Sequence, residues 1–230
     1  CMAGTDPDKM GRLPDAANMK NEVIVQATHR MGYDRAITAA GAKLIEVSTH
    51  AELEAAYSDQ TAMLFIFGDA AERGEISVAE MSESGHRHGV PTLVDAAAER
   101  PDRPNAYLEE GADAVAYSGG KAIRGPQASG ILCGRRDLIE AVALQHLDLD
   151  ILWDQWNPPV ELIDKRHLPG APHHGIGRPC KVGKEEIVGL LTALDLFVQQ
   201  DPDARRADWL TLMEQLLSAA GEIRGVDVPR

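Results

Sequence analysis

PTLVDAAAERPDRPNAYLEEGADAVAYSGGKAIRGPQASGILC, residues 91–133, decides how this chain is read. Pro91-Thr92-Leu93-Val94-Asp95 is a short β-rich run that ends in a carboxylate. Asn105 to Glu110 is a short helix closed by Gly111, and Asp113-Ala114-Val115-Ala116-Tyr117 is a second strand. Ser118 to Ser129 is a glycine-rich loop holding one lysine, Lys121, after which Gly130 to Cys133 returns as a strand. Strand, short helix and strand describe two adjacent parallel strands, so Asp95 and Lys121 reach one rim of the sheet.

The alternation extends upstream. Glu22 to Gln26 (EVIVQ), Lys43 to Val47 (KLIEV) and Ala62 to Phe67 (AMLFIF) read as strands; Tyr33 to Ala40, Ala51 to Tyr57 and Ile76 to Gly89 read as helices. Residues 1–20, polar and rich in Gly and Pro, read as a loop. Near-continuous apolar strands in β-α-β order predict a largely parallel sheet covered on both faces. Such sheets bind ligands at the carboxyl ends of their strands. Downstream, Asp137 to Gln145 is helical and Leu149 to Ile176 is irregular. Lys184 to Gln200 carries Ile187, Leu190, Leu191, Leu194 and Phe197 on one helical face. Asp201-Pro202-Asp203 breaks that helix, a second runs from Ala204 to Ala220, and the last residues begin a strand of a smaller domain.

Composition narrows the class. The 230 residues are 44% hydrophobic and 26% charged, with a net charge of −13. Collagen, coiled-coil rods and wholesale disorder are excluded. No run approaches the roughly 18–20 apolar residues of a membrane span. An acidic surface repels phosphate backbones, which argues against nucleic acid as a partner. Cys1, Cys133 and Cys180 are far apart and outside any CxxC, so neither a disulfide framework nor a zinc site is expected, in keeping with a reducing cytoplasm. The chain starts Cys1-Met2 and stops at Val228-Pro229-Arg230, which reads as a fragment cut at both ends.

A strand-end acid and a lysine at one ligand-binding rim point to Schiff-base chemistry. A lysine amine attacks an aldehyde only when neutral, a state that desolvation or a nearby cation favours. A carboxylate against a heterocyclic nitrogen, about 3 Å away at an effective dielectric near 20, is worth about 5 kcal/mol. That holds the ring protonated and makes it an electron sink.

Val94-Asp95-Ala96-Ala97-Ala98-Glu99 and Ala116-Tyr117-Ser118-Gly119-Gly120-Lys121-Ala122-Ile123-Arg124-Gly125-Pro126-Gln127 resemble the selenocysteine-synthase-like branch of fold-type I pyridoxal-phosphate enzymes. Thr28-His29-Arg30-Met31-Gly32-Tyr33-Asp34 and Gly177-Arg178-Pro179-Cys180-Lys181-Val182-Gly183-Lys184-Glu185-Glu186 are similar to the same branch. It includes L-seryl-tRNA(Sec) selenium transferase and D-glucosaminate-6-phosphate ammonia lyase. The resemblance implies pyridoxal 5'-phosphate as cofactor, carried on Lys121 as a Schiff base. Asp95 would face the pyridine nitrogen, Ser118 would bond the phosphate and His29 would stack on the ring. Arg178, Arg30 and Gln127 are the substrate-binding candidates. Backbone N–H groups cradling the phosphate are expected upstream of Cys1.

Plainer readings stand beside these. Asp95 can cap the following helix, Lys121 can be a solvated charge, Ser118 a turn former and His29 a structural histidine. His86 and His88 face different sides of a helix end, and His173-His174 lack a paired carboxylate, so no metal site is expected. SGGK lacks the P-loop spacing. Trp153 and Trp156 read as core or interface packing.

The resulting expectation is an α/β chain. Residues 1–180 form a fold-type I large domain with a mostly parallel, seven-stranded-type sheet and helices on both faces. Residues 181–230 form the linking helix and the start of a small α+β domain. The expected function is β-elimination on an amino acid or amino-sugar acid, of the ammonia-lyase type. The selenium transferase (β-replacement) and a non-catalytic protein of the same fold are the alternatives. A small-molecule substrate, a homodimer or higher homo-oligomer, no membrane and a cytoplasmic location complete the expectation.

Overall fold

The computed structural model describes residues 1–101, 105–147, 152–172 and 174–227. Leu149, His173 and Val228 to Arg230, named above, lie outside these. The strands are β1 (Glu22–Gln26), β2 (Lys43–Val47), β3 (Thr61–Phe67), β4 (Thr92–Asp95), β5 (Ala114–Ser118) and β6 (Gly130–Gly134). They form one six-stranded sheet in the order β2-β1-β3-β4-β5-β6. The first four pairings are parallel and β5–β6 is antiparallel. Among the described residues six strands form instead of seven, and the long apolar stretches beyond residue 183 form helices. The chain passes from β2 over β1 to β3, so the strand order reverses between β1 and β3 and makes a topological switch point at the carboxyl edge, where open α/β sheets bind ligands.

The helices are α1 (Pro7–Arg12), α2 (Arg35–Ala39), α3 (His50–Ala56), α4 (Val78–His88), α5 (Ala106–Glu109), α6 (Arg136–Gln145), α7 (Lys184–Gln199) and α8 (Pro202–Gly221). Helix α1 corrects the reading of residues 1–20 as a loop. Asp6 caps it, accepting from the N–H groups of Asp8 and Lys9; Pro7 opens it, and Met10 buries its inner face. The expected terminal strand is absent from residues 222–227, which form turns. Ser77 and Glu80 make a reciprocal capping box at the start of α4, and Gly89 ends it at φ 67°.

Two cores sandwich the sheet. Ile24, Leu64, Ile66, Val94, Val115 and Tyr117 face Leu53 of α3 and Val78 and Met81 of α4. The opposite face buries Val23, Val25 and Phe65 against Ile37 of α2. Each fully buried aliphatic side chain contributes about 1.5–3 kcal/mol relative to exposure. A third cluster joins Met10 of α1 to Leu144 of α6, with Trp156 against it. Trp153 stacks obliquely on Trp156, ring centroids 5.5 Å apart, and Lys165 lies over Trp153. Among the described residues no helix is long and apolar enough to cross a membrane, and no group of three or more His, Cys, Asp or Glu side chains is arranged to hold a metal ion.

Candidate active site

The carboxyl edge of β4 and β5 gathers four of the sequence-selected residues. Asp95 is the last residue of β4 and pairs with Ala116 of β5. Side chains alternate along a strand, so Ser118 at the end of β5 shares the sheet face of Ala116 and Asp95. The pairing continues past β4, where Ala96 N–H donates to the Ala116 carbonyl at 2.9 Å. Asp95 Oδ1 accepts from the Ala97 N–H at 3.0 Å, which turns the chain and leaves Oδ2 without a hydrogen bond among the described residues. Asp95 thus closes a turn and caps no helix, since Asn105 caps α5.

Lys121 follows in the turn beyond β5. That loop is fastened at several points: Gly119 N–H to the Ser129 carbonyl (2.9 Å), Gly125 N–H to the Gly119 carbonyl (2.7 Å) and Arg124 N–H to the Lys121 carbonyl (3.0 Å). Gln127 Nε2 donates to the Gly120 carbonyl at 3.2 Å, so Gln127 holds the lysine loop in shape. Glycine is required here by close approach. A Cβ at Gly119 would meet Ser129 Oγ at 2.2 Å and Leu190 of α7 at 2.9 Å. The Lys121 side chain is exposed and makes neither a hydrogen bond nor an ion pair among the described residues.

His29, Arg30 and Arg178 lie apart from that pair. His29 is 1% exposed in a short turn after β1. Its Nε2 lies 3.0 Å from the Arg73 carbonyl and 3.5 Å from Gln26 Nε2, and its Nδ1 is buried without a hydrogen bond. Burial pushes its pKa below the usual histidine value against the opposing pull of the Arg73 and Ala70 carbonyls, which favours the neutral ring. Arg30 is held by Asp34 and by Glu46 of β2, toward the far side of the sheet from β5. Arg178 is half-buried in a turn whose Gly175 and Gly177 pack on Gln145 at the end of α6.

A cleft of about 740 Å3 opens at the same edge on the opposite sheet face from Asp95 and Ser118. Gly68, Asp69, Glu75, Glu99, Tyr107 and Tyr117 line it; Asp95 and Lys121 do not. Glu99 accepts from Tyr107 Oη at 2.8 Å on both oxygens. Burial raises the Glu99 pKa above the usual carboxylate value; Tyr107 opposes the shift, and Asp69 and Asp95 add to it. Tyr107 is raised in turn, by burial and then by Glu99. Sequence reading missed this group. Its one local signal is the D-A-A-A-E spacing, which carries Glu99 one turn beyond the strand-end acid.

A carboxylate oxygen without a partner and an unpaired amine at one edge suit a ring that carries a basic nitrogen and an aldehyde. Comparison with known proteins agrees in kind. The family model described as aminotransferase class-V matches residues 24–148. The 5'-C-glycyluridine monooxygenase-decarboxylase of a Streptomyces species is 31% identical over 239 residues, covering 98% of this chain and 52% of that protein. The D-glucosaminate-6-phosphate ammonia lyase of Salmonella typhimurium is 29% identical over 227 residues, covering 94% of this chain and 53% of that protein. A solved structure of D-glucosaminate-6-phosphate ammonia-lyase superposes with a TM-score of 0.68 at 29% identity, over 87% of this chain and 49% of that one. The chain thus spans about half the length of the curated relatives it matches.

Proposed function

The chain belongs to the aminotransferase class-V family, and on that premise we propose that it is the cofactor-binding part of a pyridoxal-phosphate enzyme that eliminates a leaving group from an amino acid or amino-sugar acid, releasing ammonia and a 2-oxo acid. The observation that carries this reading is the pair at the β4–β5 edge: an Asp95 carboxylate with one oxygen free and a Lys121 amine without a partner among the described residues. When bound, pyridoxal phosphate supplies an electron sink for the carbon that bears the substrate amine. Lys121 would hold the cofactor through its aldehyde. Asp95 would keep the ring nitrogen protonated, and Ser118 would donate to the phosphate. His29, buried against the Arg73 carbonyl and apart from this pair, is a structural residue in this reading.

In turnover, Lys121 Nζ takes the proton from the amine-bearing carbon, which requires the amine in its neutral form. The leaving group departs from the neighbouring carbon with its bonding pair, and water completes the release of ammonia. The lyase relative supports this outcome through its 94% coverage of this chain and its structural superposition. The Streptomyces relative favours a second reading, in which an amino-acid-bearing nucleoside is oxidatively decarboxylated. Net charge −13 supports a small molecule over tRNA. Residues 1–180 serve in this reading as the large domain and residues 181–230 as the link to a smaller one, within a homo-oligomer.

A panel of amino acids and amino-sugar acids, with ammonia, 2-oxo acid and oxygen uptake measured together, tests both readings. Ammonia and oxo acid without oxygen uptake support elimination; oxygen-dependent loss of carbon dioxide supports the second reading. Absence of both, with no visible absorption from a Lys121-bound cofactor, overturns the enzymatic assignment in favour of a non-catalytic protein.

A further inference from the structure

Two arginines from distant parts of the chain meet on one tryptophan beside the lysine loop, and a third lies near the same helix pair. Arg124, three residues after Lys121, has its Cζ 5.9 Å from the centroid of Trp209 on α8. Arg205, one turn before Trp209, has its Cζ 4.7 Å from the same ring. Arg100, five residues after Asp95, has its Cζ 4.9 Å from Phe197 at the end of α7. The segments that follow the two reactive-edge residues thus each carry an arginine toward the α7–α8 pair. The lysine loop packs on that pair directly: a Cβ at Gly125 would touch Leu190 and Ala193, and one at Gly189 would lie 2.8 Å from Pro126.

Two observations mark the cluster as a receptor for negative charge. Among the described residues the Arg205 Nε–H is buried with no hydrogen-bond acceptor, while its Nη1 donates to Gln200 Oε1 at 3.1 Å. A buried donor without an acceptor is costly and rare in native proteins. Burial lowers the Arg205 pKa, and the positive charges of Arg124 and Arg100 lower it further. Arg124 also adopts φ 63°, the left-handed region that disfavours a non-glycine residue. Such outliers persist where the surroundings enforce them, and cluster at ligand sites.

We propose that Arg124 and Arg205 form a subsite for a phosphate monoester dianion borne by the substrate, at the end remote from the amine that reacts at Lys121. Planar guanidinium groups bind phosphate oxygens through paired N–H donors, and a dianion relieves the mutual repulsion of these two cations. The assignment rests on the elimination reading for which molecule carries the phosphate; the anion site itself does not.

The experiment begins with calorimetric titration of inorganic phosphate into the chain free of cofactor, with Trp209 fluorescence as a second readout. Saturable binding is expected, weakened at least about tenfold by Arg205→Gln and by Arg124→Gln. Arg206→Gln, at the exposed neighbouring position on α8, should bind as wild type. Trp209→Phe should remove the fluorescence response. Circular dichroism checks that each variant is folded. Absence of saturable binding, or equal binding by the Arg205 and Arg206 variants, overturns the site.

The source of the phosphate is separated by repeating the titration on the chain loaded with pyridoxal phosphate, and by competition with 6-phosphogluconate, an amine-free sugar-acid phosphate. Retained phosphate binding displaced by 6-phosphogluconate supports the substrate. Loss of phosphate binding on loading means that the cofactor's own phosphate occupies the cluster and overturns the substrate assignment. Ammonia release reads the Lys121 chemistry independently, so either conclusion can fail without the other.

Discussion

Replacing Asp113 should loosen the register on which the candidate site depends. Asp113 precedes β5 with its side chain 4% exposed. Its Oδ2 accepts from the Thr92 N–H at 2.8 Å, its own N–H donates to the Thr92 carbonyl at 2.9 Å, and its Oδ1 accepts from Arg135 Nη1 at 2.7 Å. These bonds tie the start of β4 to the start of β5, and the register that follows sets Asp95 opposite Ala116. Asp113→Ala removes two charge-assisted bonds, worth roughly 1.5–3 kcal/mol each when buried, and strands the Thr92 donor. Arg135 is half exposed and keeps Asp137 as a partner at 2.7 Å, so its share falls at the low end. The sum is about 3 kcal/mol. For a chain of this size that is a fall in Tm of roughly 6–12 °C. Asp113→Asn keeps an acceptor for Thr92 and loses the charge, so about half that fall is expected. Asp137→Ala, at the exposed end of the network, should cost at most about 1 kcal/mol. Thermal melts followed by circular dichroism give all three. A fall of less than about 2 °C for Asp113→Ala, or an Asn variant as unstable as the Ala variant, would refute the reasoning.

Three further tests address the site and the acid groups. Lys121→Ala should abolish turnover and the visible absorption of the loaded protein, and Asp95→Asn should lower kcat/KM by roughly 10²–10⁴-fold, both read by ammonia release and absorption spectra. Glu54, held by His88, Ser84 and Arg87, has its pKa lowered from 4.5 to about 2. Its stabilisation is therefore complete above 4.5 and lost as pH falls through about 2; Glu54→Gln should flatten the acid limb of the Tm–pH curve there, by at most about 1 kcal/mol because the group is half exposed. Glu99 is shifted the other way, chiefly by burial, so its contribution is complete below 4.5 and lost as pH rises through the raised value. Glu99→Gln should gain Tm relative to wild type between acid and neutral pH, and a constant difference across that range would count against the buried-carboxylate account.

What the sequence disclosed follows from how each feature is encoded. Strands such as Ala62 to Phe67 are continuous apolar runs, visible without knowledge of their neighbours, and the placement of Asp95 and the lysine loop at one sheet edge follows from strand-helix-strand spacing. Helix α1 was hidden because Met10 is its single buried residue and gives no period, although Asp6-Pro7 is a sound start signal. Asp201-Pro202 has the same form: its helix-breaking role is also a helix-starting one, with Asp201 as cap and Pro202 as the first helical residue. Arg124 and Arg205 meet on Trp209 only through the fold, and no local pattern links them. The cleft beside Glu99 joins side chains from β5, α5 and two loops, a convergence that exists only after folding. Arg30 was selected by its neighbours in sequence, yet its charge is met by Asp34 and Glu46, acids that a linear motif does not reveal as partners.

The reversal of β6 gives the lysine segment a different mechanical status from every other sheet connection. The other connections leave the carboxyl edge and return at the opposite one, whereas residues 119–129 depart and come back on the same side. The segment is a short tether clamped at both ends, so the amine inherits its position from two strands at once. An insertion in it would bow Lys121 outward without disturbing the sheet, whereas a slip of either strand would drag that side chain along the edge. Tether length thereby sets how far the amine stands out, and strand alignment sets where along the edge it stands.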